Sequence, residues 1–125
     1  MKYSLLVGTI YCMLSVILGA FGAHALKAKL SEYSMGVFQT GVQYQMYHGL
    51  ALILLYACFK SAKQIPAMHY AFIFFTLGTI LFSGSLYLIA FTEIKKFGMI
   101  TPIGGLAFIF AWLCFAYAST RINIS

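Results

Sequence analysis

Residues 64–92 read QIPAMHYAFIFFTLGTILFSGSLYLIAFT, and this stretch decides the fold. It holds 29 residues between Lys63 and Glu93 without one charged side chain. A bilayer's hydrocarbon is ~30 Å thick and a helical residue rises ~1.5 Å, so about 20 apolar residues cross it. Lipid offers backbone N–H and C=O groups no partner, so a run this long and apolar is a helix. Three more uncharged gaps clear the same threshold. Lys2 to Lys27 leaves 24 residues, Glu32 to Lys60 leaves 27, and Lys96 to Arg121 leaves 24.

The composition agrees. Of 125 residues, 62% are hydrophobic, 18% aromatic and 8% charged, where soluble domains carry about a quarter charged residues. This excludes a disordered chain, a soluble globular enzyme and a nucleic-acid module. The expected fold is all-α: a polytopic membrane protein of four transmembrane helices in a compact bundle. Residues 1–125 form one domain, with spans near 3–23, 43–60, 68–91 and 99–119 and an interfacial segment near 30–41 before the chain turns inward. A secretory signal is the competing reading of the first span, because Ala23-His24-Ala25 resembles a cleavage site. The apolar run is longer than a usual signal core and carries helix-packing residues.

With four spans, Lys2, Lys60, Lys63 and Arg121 fall on one side and Lys27, Lys29, Lys95 and Lys96 on the other. The count is even, so the positive-inside rule does not fix the orientation. Glu32 and Glu93 share the second side, which leans the chain toward cytoplasmic termini. The net charge of +6, split over two faces, reads as attraction to anionic headgroups.

Helices in lipid associate where small residues let backbones approach. Gly8, Cys12, Ser15, Gly19 and Gly22 or Ala23 form such a stripe in the first span. Gly104, Ala107, Ala111, Cys114 and Ala118 form another in the fourth. Either stripe serves as a bundle seam or as a face for self-association. An internal similarity divides the chain into two tandem hairpins. VGTIYCMLSVILGAF (7–21) and LGTILFSGSLYLIAF (77–91) match at seven of fifteen positions. GLALILLYACF (49–59) and GLAFIFAWLCF (105–115) match at six of eleven.

Polar residues collect in the first hairpin. In GVFQTGVQYQMYH (36–48), at 100° per residue, Thr40, Gln43, Tyr44, Tyr47 and His48 share an arc of ~140°. The arc is expected to face the bundle interior, with Val42, Met46, Leu50 and Ile53 toward lipid. His24, His48, Glu93 and Thr101 are placed at the same end of the bundle and complete a candidate polar cluster. His24 and His48 are the weak candidates for holding a haem or a metal. Ordinary polar packing, each histidine hydrogen-bonding a neighbour, is the favoured reading.

Other chemistry finds little support. The cysteines are isolated in separate spans without a Cys-x-x-Cys. No Asp occurs, and neither Glu lies in a span, which argues against carboxylate acid–base catalysis and a carboxylate proton relay. FSGSLY is not a nucleophile elbow, and no phosphate loop is present. No catalytic residue, resident metal or cofactor is expected.

LGAFGAHALK, YQMYHGLAL, FSGSLY and ITPIGG together resemble the uncharacterised protein family 0382, also called domain of unknown function 423. The resemblance covers residues 19–112. It implies a small multi-pass protein of the bacterial inner or plasma membrane, and it implies no substrate, cofactor or catalytic residue.

The leading expectation is a small, non-enzymatic integral membrane protein. It would act through contacts with membrane lipids, a larger membrane protein or its own copies. An oligomeric small-solute transporter or channel is the alternative, and a His-liganded redox or haem subunit ranks third.

Overall fold

The structure is a computed structural model that describes residues 2–122. Four helices cover most of that length. The first, α1, runs Lys2–Leu26. It is α-helical over Lys2–Ile17, widens into a π turn over Leu18–Gly22 and closes with Ala23–Leu26. In that wider turn the Ala23 N–H reaches the Leu18 carbonyl five residues back. The second, α2, spans Glu32–Phe59, the third, α3, spans Pro66–Thr92, and the fourth, α4, spans Thr101–Ser119. A 3-10 turn, Lys95–Met99, leads into α4.

The ends follow local chemistry. Ser31 caps α2: its side chain accepts the Ser34 N–H at 3.1 Å, satisfying one orphan donor of the first turn. The Gln64 carboxamide donates to the Phe59 and Ala62 carbonyls at the far end. Pro66 and Pro102 sit in the first turns of α3 and α4, where a missing N–H costs nothing. Glu93 ends α3 in a left-handed conformation, φ 57°.

The helices pack in chain order, α1 on α2, α2 on α3 and α3 on α4. They form a short antiparallel row with α1 and α4 at its two ends. Glycines set the spacing. A Cβ on Gly8 would stand 2.6 Å from the Gly49 carbonyl oxygen of α2. A Cβ on Gly41 would meet the Tyr87 ring of α3 at 2.8 Å. A Cβ on Gly104 would fall onto the backbone of Phe82 in α3. Phe38, Leu52, Leu55, Phe59, Met68 and Phe75 fill the core.

Large apolar side chains cover the outside, with Leu106 and Leu113 of α4 at 67% and 63% exposure. Such a surface needs lipid rather than water. The helices Lys2–Leu26 and Pro66–Thr92, and the stretch Lys95–Ser119, are long and apolar enough to cross a membrane. Helix α2 is long enough but more polar, and it is held between α1 and α3.

Two expectations change. The chain does not turn between an interfacial segment at 30–41 and a span at 43–60. Glu32–Phe59 is one continuous helix, since no proline interrupts it and Gly41 serves the contact with α3 rather than a break. Nor does the polar arc of α2 face inward as a block. His48 and Ala51 are buried, but Tyr47 is 53% exposed, Gln43 and Cys58 are exposed, and Tyr44 lies at the edge. The buried stripe runs through Phe38, Gly41, Gln45, His48, Gly49, Leu52 and Leu55. At 100° per residue its centre lies about 100° round from the arc. Close approach at Gly41 and Gly49 sets the rotation of α2, and polarity follows.

Candidate functional site

Two polar constellations occupy the interior, and the first ties helices together. The Gln45 side chain, 5% exposed, donates to the Tyr11 carbonyl of α1 at 3.0 Å. Its Oε1 accepts the Tyr87 hydroxyl of α3 at 2.6 Å. Ser15 donates to the same Tyr11 carbonyl at 2.8 Å, and the Tyr11 hydroxyl reaches the Thr76 carbonyl at 3.0 Å. Ser83 donates to the Gly41 carbonyl at 2.7 Å and Ser4 to the Leu52 carbonyl at 2.7 Å. Among the described residues no buried side-chain N or O atom lacks a partner. In a low-dielectric interior an unpaired one would be costly.

The second constellation centres on His48, which α2 buries to 5% exposure. Its Nδ1 lies 2.7 Å from the Tyr44 carbonyl, one turn back. A carbonyl only accepts, so Nδ1 carries the proton. The indole N–H of Trp112 in α4 donates to Nε2 at 3.1 Å. These two contacts together define the neutral tautomer with both nitrogens in use. The imidazole stacks on Phe108, centroids 3.5 Å apart and planes within 6°, with Phe75 of α3 at 5.7 Å. Beside it, a groove of about 600 Å³ opens between α2 and α4. Tyr44, Tyr47 and Trp112 form its walls, Phe82 of α3 lies beneath, and Gly105 leaves it open. The lining is aromatic and uncharged, suited to an acyl chain or an apolar side chain.

The other candidates are scattered. His24 is exposed near the end of α1. The Gly22–Phe38 contact puts it level with the upper part of α2. His48 lies ten residues below Phe38, so the two histidines stand on the order of 20 Å apart along the axis. Placing both at one end of the bundle is therefore corrected, because α2 begins at Glu32 rather than at 43. Thr40 donates to the Gly36 carbonyl of its own helix. Thr101 and Ser85 share a 2.6 Å hydrogen bond between α3 and α4. Glu93 accepts from Ser31 at 3.4 Å and Ser34 at 3.3 Å, so it stabilises the positive end of α2. Gln43 borders a second groove with Gly19, Ala23 and Gln39. Among the described residues no cluster of three or more His, Cys, Asp or Glu side chains is placed to hold a metal ion.

Of the packing residues, Gly8, Ser15, Gly104, Ala111 and Ala118 are buried between helices. Gly19 and Gly22 lie against Val42 and Phe38, and Ala107 is half-buried. Gln45, Tyr11 and Tyr87, the clamp of the interior, are not among the residues that sequence reasoning singles out as a site. The available signal is the position of Gln45, one turn from each of two glycines on the contact face.

Fold and surface define an all-α membrane protein of four helices, three of them long and apolar. The family model for a protein of unknown function, DUF423, matches residues 18–105, and the chain belongs to that family. It is 47% identical to a UPF0382 membrane protein of Staphylococcus haemolyticus, covering 90% of this chain and 91% of the relative. It is 40% identical to the UPF0382 membrane protein YwdK of Bacillus subtilis, over 97% and 98% of the two chains. It is 35% identical to the UPF0382 inner membrane protein YgdD of Escherichia coli strain K12, over 98% and 92%. No solved structure gives a significant match.

Proposed function

We propose that the chain crosses the cell membrane four times, with Lys2 and Arg121 on the cytoplasmic side. In this reading it is a non-enzymatic protein that acts by lateral contact with lipid or another membrane protein. The carrying observation is the groove between α2 and α4. It is lined by aromatic and apolar side chains, and the histidine beside it, His48, has both ring nitrogens hydrogen-bonded within the chain. A haem or metal needs a free imidazole lone pair, and that of His48 is held by Trp112.

The test is a photoreactive side chain at Ile109, which lines the groove and is 59% exposed. In native membranes it should capture an acyl chain or a protein, and Trp112→Ala should abolish the adduct. An adduct that survives Trp112→Ala, or none at all, sinks the groove as the contact surface.

A further inference from the structure

We infer that two copies of this chain pair in the membrane through the outward face of α2, with Gln39 and Gln43 of each copy meeting the same residues of the other. The inference rests on the four-span reading. It begins with depth. Val42 lies against Gly19 and Gln45 reaches the Tyr11 carbonyl. Gln43 is therefore level with the middle of α1, midway between Lys2 and Lys27. Both Gln39 and Gln43 are exposed, as is Tyr47. The side-chain hydrogen bonds of this stretch come from Thr40, Gln45 and His48. Among the described residues Gln39, Gln43 and Tyr47 add none. At the depth of Gln43 a carboxamide facing hydrocarbon without a partner is strongly disfavoured, and lipid tails cannot supply one. Gln39 lies one turn nearer the polar end, bordering a groove with Lys27 and Glu32.

The face also has the right shape. Gly36, Gln39, Thr40, Gln43 and Tyr47 fall within an arc of about 100°. A Cβ placed on Gly36 would meet nothing within 4 Å, so a second backbone can approach there.

The occupant follows from symmetry. Identical chains inserted the same way pair about a two-fold axis along the membrane normal, and near that axis each residue meets its own copy. Such a position is satisfied only by a group that both donates and accepts. A carboxamide does so, whereas a lysine or glutamate would repel itself. Between Glu32 and Lys60 the helix carries no charge.

Single-molecule photobleaching of the unmodified protein in lipid vesicles should count two copies. The pair Gln39→Leu with Gln43→Leu should weaken association on the order of tenfold. In native membranes, with Cys58→Ala to remove the exposed thiol, Gln43→Cys should oxidise to a product of twice the mass. Leu106→Cys on the exposed face of α4 should not. One copy per vesicle, or a Gln43→Cys adduct to a different protein, overturns the inference. Membrane-impermeant thiol labelling of Lys29→Cys and Lys63→Cys separates the two failures. Labelling from one side removes the four-span reading itself. Labelling from opposite sides, with single copies, removes the pairing alone.

Discussion

The α1–α2 and α3–α4 hairpins are built on one plan and finished differently. In the first, Gly8 brings α1 onto the Gly49 carbonyl. Seventy residues on, Gly78 lies against the Phe108 ring, with the Gly104 carbonyl oxygen 3.3 Å from where its Cβ would stand. Ser15 and Gln45 converge on the Tyr11 carbonyl, and at the matching positions of the second hairpin Ser85 and Thr101 bond each other. The outer faces then part. Where α2 turns Gln43 and Tyr47 outward, α4 presents Ile103, Leu106, Ile109 and Leu113. Helix α2 also runs 28 residues against 19 for α4. The shared plan is what antiparallel helices need to lie close in lipid. What distinguishes this protein lies where the first hairpin departs from it, at Gln45, His48 and the outward glutamines.

The largest effect is expected at the tighter crossing. Gly104→Ala would push a methyl into the Phe82 backbone and should cost about 3 kcal/mol, read as the unfolding midpoint in mild detergent. Gly105→Ala, one residue on in open space, should gain about 0.5–1 kcal/mol. Equal responses at the two glycines would show that the α3–α4 crossing does not depend on close approach at Gly104.

Gly8→Ala should cost about 2 kcal/mol, less than Gly104→Ala, because its methyl would stand 2.6 Å from the Gly49 carbonyl oxygen, where that of Gly104 would stand closer still to the Phe82 backbone nitrogen. A larger loss at Gly8 than at Gly104 would reverse the ranking of the two seams.

The polar pairs come next. Gln45→Leu leaves the Tyr87 hydroxyl without its acceptor and should cost about 2 kcal/mol, against about 1 kcal/mol for Thr101→Val. A double-mutant cycle of Gln45→Leu with Tyr87→Phe should return a coupling of about 1 kcal/mol. A coupling of zero would reduce the clamp to a contact without energetic weight.

The smallest effect tests the helix starts. Ser31→Ala removes the cap of α2 and should cost about 1 kcal/mol. Pro102→Ala at the uncapped start of α4 should cost about 0.5 kcal/mol or less, since proline there only pre-sets φ.

The helices themselves are legible in the sequence because charge is excluded from lipid, and Lys27, Lys60, Lys63, Glu93 and Arg121 punctuate them. The glycine and small-residue stripes are legible because backbone approach admits nothing larger. The rotation of α2 is not. Its polar residues are spread around the helix, and an arc drawn through Thr40, Gln43 and Tyr47 ignores the two neighbours that Gly41 and Gly49 admit. The partners of Gln45 are equally hidden. Tyr11 and Tyr87 lie 34 and 42 residues away, a pairing no local pattern records. The π turn at Leu18–Gly22 leaves no mark in the apolar spacing.

A row packed in chain order has a consequence for how the molecule is made. Because each helix packs on the one before it, the row can be completed by addition to one edge in the order of the chain. The first hairpin enters with two open valences, the Tyr11 hydroxyl and the Gln45 carbonyl oxygen, and α3 closes both, with the Thr76 carbonyl and the Tyr87 hydroxyl. Without α3 the first hairpin would hold a donor and an acceptor with no partner, which is costly in a low-dielectric interior.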